Sequence, residues 1–158
     1  MSAQVYAHLL DLLREEEHLL GQLVALAREA QRALVASDYP AIEATAAHML
    51  EAAGRIETRS AERMNLLRTI GQETATLDQI ATSAENLGVQ GLHEIRERLL
   101  TQAAHLRDLQ EANARLVLGA IRIRERWAAI LAGHLSPTYS PQGQTTLQEG
   151  SGIVSRTA

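Results

Sequence analysis

From Leu92 onward, seam positions recur at alternating steps of three and four: Leu92, Ile95, Leu99, Gln102, Leu106, Leu109, Asn113, Leu116, Ala120, Ile123, Trp127 and Ile130. Ten of these twelve are apolar, which is the seam of a coiled coil or of a bundle helix. The spacing predicts one long helix over 91–133. The segment from His134 to Gln144 follows, and its Pro137, Pro141 and Gly143 cannot continue a helix.

The first third has the same period. Val5, Leu9, Leu12, Leu19, Leu23, Leu26, Ala30 and Leu34 form a stripe over 3–37, and Leu10, Leu13, Leu20 and Val24 widen it. A face that broad packs against more than one neighbour. Ser37-Asp38-Tyr39-Pro40 interrupts the period: Asp38 caps a helix and Pro40 suits a first turn. So short a link predicts an antiparallel hairpin with a second helix over 40–70. In that helix Ile42, Met49, Ile56 and Ile70 alternate with Ala46, Ala53, Ser60 and Leu67. Arg63 breaks the seam, a place that loosens or finds an acid. Residues 71–91 are weakly patterned, yet Thr76-Leu-Asp-Gln79 fits a capping box and predicts a short helix over 76–84.

Together these elements predict an all-α fold. Residues 1–133 form an elongated antiparallel three-helix, coiled-coil-like bundle with a short extra helix, and residues 134–158 form a flexible, disordered C-terminal tail. At ~1.5 Å per residue the last helix spans roughly 60 Å, longer than its predecessors. Its C-terminal half is therefore expected to outrun them with apolar surface showing.

Composition narrows the function. The 158 residues include no Phe and a single Trp, so the core is aliphatic. With no Cys, thiolate metal sites and disulfides are excluded. The net charge is −4, and residues 76–133 balance seven acids with seven Arg, which argues against a general nucleic-acid binder. The local exception is Arg115, Arg122, Arg124 and Arg126, opposed by Glu125. The amino terminus lacks a basic region before its apolar stretch, and no apolar run approaches membrane length. A cytoplasmic protein is expected.

Candidate chemistry is sparse. Glu15-Glu-Glu-His18 contains one E-x-x-H, but di-iron bundles need two and no other His has Glu three residues before it. The alternative is a solvated acidic face. No nucleophile, phosphate-loop or zinc-protease motif occurs, so no catalytic residue, metal or cofactor is expected. Three other residues invite recognition roles. Asn113 interrupts the seam, either as a satisfied bundle Asn or as a residue that sets partner geometry. Trp127 is either core or an interface anchor. Tyr139 lies in a segment too polar and broken for a core.

The stretch from His105 to Ile121, followed by Pro137-Thr-Tyr-Ser-Pro-Gln-Gly-Gln-Thr145, resembles the C-terminal half of the FlgN family of flagellar type III export chaperones. Asn113 with Leu116-Val117, and Tyr139-Ser-Pro-Gln-Gly143-Gln144, carry the likeness. Ala33-Leu34, Asp38 and Ile42 extend it to the N-terminal half. The resemblance implies a non-catalytic protein needing no nucleotide or metal. It would bind C-terminal segments of the hook–filament junction proteins FlgK and FlgL, prevent premature polymerisation, and deliver them to the export-gate protein FlhA. An amphipathic cargo helix would then lie against Asn113, Leu116, Val117, Ala120, Ile123, Arg124, Trp127, Ile130 and Leu131. Tyr139, Gly143 and Gln144 would meet the gate. The alternative is a self-associating coiled-coil scaffold without a secretion role.

Overall fold

The computed structural model describes the backbone of residues 3–135, 137–139, 145–149 and 154–157, with side chains over 3–133. Four helices follow in order: α1 Ala3–Ala36, α2 Tyr39–Thr69, α3 Leu77–Glu85 and α4 Leu92–Leu135. Each lies within two residues of the span that apolar spacing and capping predict.

Turn chemistry sets the boundaries. Asp38 caps α2 by accepting from the Ala41 N–H at 3.1 Å, with Pro40 in the first turn. At α3 the capping box forms in both directions: Gln79 N–H donates to Thr76 Oγ1, and Thr76 N–H donates to Gln79 Oε1. Helices α2 and α3 end alike, with Gly71 and Gly88 at positive φ and the next amide reaching back five residues, to Leu67 O and Ala84 O. Helix α1 ends in the same hydrogen-bond pattern, Asp38 N–H to Ala33 O, but places Ser37 at φ 54°. A side chain in that left-handed conformation costs about 1–2 kcal/mol. Ser37 is exposed. Ser37→Gly is therefore expected to stabilise the fold by about 0.5–1 kcal/mol, after the backbone entropy of glycine is subtracted. A higher midpoint in thermal melting followed by circular dichroism checks this; a lower one would mean that the hydroxyl stabilises the turn.

Helices α1 and α2 form the closest helix pair, and they run antiparallel. Tyr6 Oη donates to Gln72 Oε1 at one end, while Glu15 meets Arg59 and Glu16 meets Arg63 farther along. The broad face of α1 also serves α4. Leu10 lies beside Gly91, Glu17 meets Arg98, Gly21 lies beside Gln102, and Arg28 meets His105. Those pairs rise together in number, so α1 and α4 run in the same direction.

The core sits where α1 begins, α2 ends and α4 begins. Tyr6, Leu9, Leu10 and Leu13 of α1 join Leu67 of α2 and Leu92 and Ile95 of α4. The weakly patterned stretch supplies the rest: Ile80, Ala81 and Ala84 of α3, each at most 1% exposed. The short helix is a wall of the core.

The chain divides into two compact units, Met1–Ala114 and Arg115–Ala158. The division falls inside α4, whereas the composition changes at Gly133. Asn113 still bonds α1, but from Ala114 to Gly133 every residue except Gly119 is exposed.

Beyond α4 the backbone is extended in three short segments, β1 Pro137–Tyr139, β2 Thr145–Glu149 and β3 Val154–Thr157. They pair antiparallel in the order β1-β2-β3, with Tyr139 opposite Thr145 and Glu149 opposite Val154. Thr, Val and Tyr favour extended backbone. Residues 136, 140–144, 150–153 and 158 lie outside the described residues.

Candidate partner-binding surface on helix α4

The acidic run on α1 is structural. Successive helix residues point about 100° apart, so Glu15, Glu16 and Glu17 fan around α1. Glu15 meets Arg59 at 2.6 Å and Glu16 meets Arg63 at 2.8 Å, both on α2; Glu17 meets Arg98 of α4 at 3.8 Å. Glu16 is the buried member, and Arg63, the residue that interrupts the α2 seam, is its partner. The hydrogen bond that Arg59 donates to Glu62, then the nearby charge of Glu15, holds its guanidinium above its usual pKa. His18 of the E-x-x-H bonds Gln22. These carboxylates are engaged by guanidinium groups, and among the described residues no three His, Asp or Glu side chains converge to hold a metal.

Asn113 faces α1. Its Nδ2 donates to the carbonyl of Ala27 at 2.9 Å, which is the bundle reading of this residue. Its Oδ1, like Gln102 Oε1, is buried without a hydrogen-bond partner among the described residues. The two polar interruptions of the seam thus both lie in the Met1–Ala114 unit, at its α1 side.

The remaining candidates on α4 lie in the second unit. Leu116, Val117, Ala120, Ile123, Arg124, Trp127, Ile130 and Leu131 are all exposed. Trp127 is 61% exposed and Ile123 is 62% exposed, so within the described residues the tryptophan is not core. Leu116, Ile123, Trp127 and Ile130 repeat at seven, four and three residues and share one edge of the helix. Arg122 and Arg126 line one shallow depression with Ile123, Trp127 and Ile130.

Helical spacing did not single out Leu118 and Ile121, 52% and 46% exposed, because they lie off the heptad seam. The unbroken apolar run from Leu116 to Ile121 is the signal that marks them. Nor did spacing join the arginines to the apolar edge; their one-residue offset from it does. Of the tail candidates, Tyr139 ends β1, its side chain lying outside the described residues. Gly143 and Gln144 lie outside them entirely.

The arrangement can do one kind of chemistry well. It offers Trp, Ile and Leu side chains along four helical turns for burial against another apolar helix. Burying each such side chain contributes roughly 1.5–3 kcal/mol. Among the described residues no helix is long and apolar enough to cross a membrane. A family model described as FlgN protein matches residues 1–146. No curated protein and no solved structure matches the chain.

Proposed function

The chain belongs to the FlgN family, whose membership points to a chaperone role in flagellar export, and on that premise we propose a specific cargo, site and destination. The protein is a cytoplasmic chaperone that binds the C-terminal segments of junction proteins of the FlgK and FlgL type. An amphipathic cargo helix lies on α4 between Leu116 and Leu131 and keeps the cargo from polymerising. The observation that carries this is the exposed run of large apolar side chains there, Trp127 included. Left bare, such a stripe is a liability in water; a chaperone needs it open until cargo arrives.

The experiment is calorimetric titration of residues 1–158 with the C-terminal segments of the two junction proteins from the same organism. Saturable 1:1 binding with a negative heat-capacity change supports apolar docking. Absence of heat and of complex, with both partners folded, would leave a helical protein of other purpose. The same bare stripe also suits a self-associating scaffold. Light scattering separates them: a concentration-independent dimer or tetramer without cargo favours the scaffold.

Delivery to the FlhA export gate is assigned to Tyr139, Gly143 and Gln144, a role supported by the Tyr-x-x-x-Gly-Gln pattern alone. Tyr139→Ala is expected to leave cargo affinity unchanged and weaken gate binding roughly ten- to hundred-fold, the value of one buried aromatic side chain. Surface plasmon resonance against the gate's cytoplasmic domain reads the effect. Lost cargo binding would show that the tyrosine serves the cargo.

A further inference from the structure

The two units differ in charge. Residues 1–114 carry seventeen acids and ten Arg, whereas residues 115–158 carry five Arg and two Glu. In the first unit six arginines, Arg14, Arg59, Arg63, Arg96, Arg98 and Arg107, each meet a carboxylate. Among the described residues Arg115, Arg122 and Arg126 meet none. Their spacing of seven and four is that of Leu116, Ile123 and Trp127, moved by one residue. Each set therefore occupies an arc of about 40°, and the arcs lie about 100° apart. The shared depression shows the two edges in contact, since Arg122 and Arg126 line it beside Ile123 and Trp127.

We propose that Arg115, Arg122 and Arg126 form a cationic edge that selects, among amphipathic helices able to dock on the apolar stripe, those carrying carboxylates along the adjoining margin. The inference rests on the cargo-docking reading and adds the chemistry of the partner. The stripe supplies affinity without discrimination, because every amphipathic helix has an apolar face. The guanidinium row supplies discrimination and orientation, since only a partner laid with its acids on that side pairs with it. A protein helix is favoured over an anionic membrane because the opposite edge carries exposed Val117 and Ile121 with Arg124 as its one basic residue. A helix lying in a lipid surface sets a charged face against its apolar one.

The test uses the full chain and two synthetic amphipathic peptides of about 18 residues without tryptophan. They share one Leu/Ile face and carry either Glu or Lys on both margins. Trp127 is the single tryptophan, so its emission reports occupancy directly. The Glu peptide is expected to bind about tenfold tighter than the Lys peptide at low salt, the sum of three exposed pairs. The gap should narrow when ionic strength rises about tenfold. The combined Arg115→Gln, Arg122→Gln and Arg126→Gln variant, with unchanged helicity, should lose most of this preference and keep only the share due to Arg124 on the other margin. Equal affinities in the unaltered chain, a preference for Lys, a preference undiminished in the variant, no binding of either peptide, or tighter binding to phosphatidylglycerol vesicles would each overturn the proposal. Junction-protein segments that fail to bind while the Glu preference holds would sink the cargo assignment and leave the cationic edge standing. Segments that bind the variant as well as the unaltered chain would do the reverse.

Discussion

Leu116→Asp together with Ile123→Asp is expected to abolish cargo binding, at least a hundredfold loss in affinity, while thermal unfolding stays within a degree or two. The two side chains are 38% and 62% exposed, so carboxylates there remain in water and cost the free protein little. In the complex each would be pressed against apolar cargo. The variant loses roughly 1.5–3 kcal/mol per side chain and adds the desolvation of two carboxylates. Calorimetry and circular dichroism on the same preparation read both quantities. Undiminished binding would place the cargo elsewhere. Collapse of the whole fold would mean that these residues are core.

Ile80→Ala should do the opposite. Its side chain is 1% exposed and packs among residues of all four helices. Truncation removes three carbons and leaves a cavity that helices braced on every side do not readily close, a loss of about 2–5 kcal/mol. Urea unfolding should show a lower midpoint with an unchanged slope. Cargo affinity of the still-folded fraction should hold, because the residues proposed to dock it lie in the other compact unit. A loss below about 0.5 kcal/mol would mean that α3 is an ornament on the hairpin and not a wall of its core.

The contrast between these variants shows what the chain reveals on reading and what it withholds. Long helices are legible because an aliphatic stripe repeated over thirty residues has one physical explanation, and the caps at Asp38 and Thr76 announce themselves by residue type. The acid awaited by Arg63 was legible as a need, although its identity as Glu16 required the hairpin's alignment. Helix α3 was legible as a helix and not as core: Ile80, Ala81 and Ala84 span little more than one turn, too short for a period to declare which side is buried. The acidic run reads as a solvated face or a metal site, and the arginines that meet it lie some forty and eighty residues away, beyond the reach of a local pattern. For the surface, Leu116, Ile123, Trp127 and Ile130 were visible as a stripe. Whether a stripe is bare or covered is a tertiary fact, which is why Trp127 stood open between core and interface.

The fan of Glu15, Glu16 and Glu17 bears on how the helices avoid sliding. Along the helix seams most buried side chains are leucine and alanine, rungs of similar shape that by themselves fix the alignment weakly. Three neighbouring carboxylates aimed at Arg59, Arg63 and Arg98 oppose sliding, because an offset of α2 unseats the first two contacts and an offset of α4 the third. They work like the bitting of a key, adding little holding force and favouring this alignment over its neighbours. A chain without phenylalanine can in this way add charge to shape in fixing its native alignment.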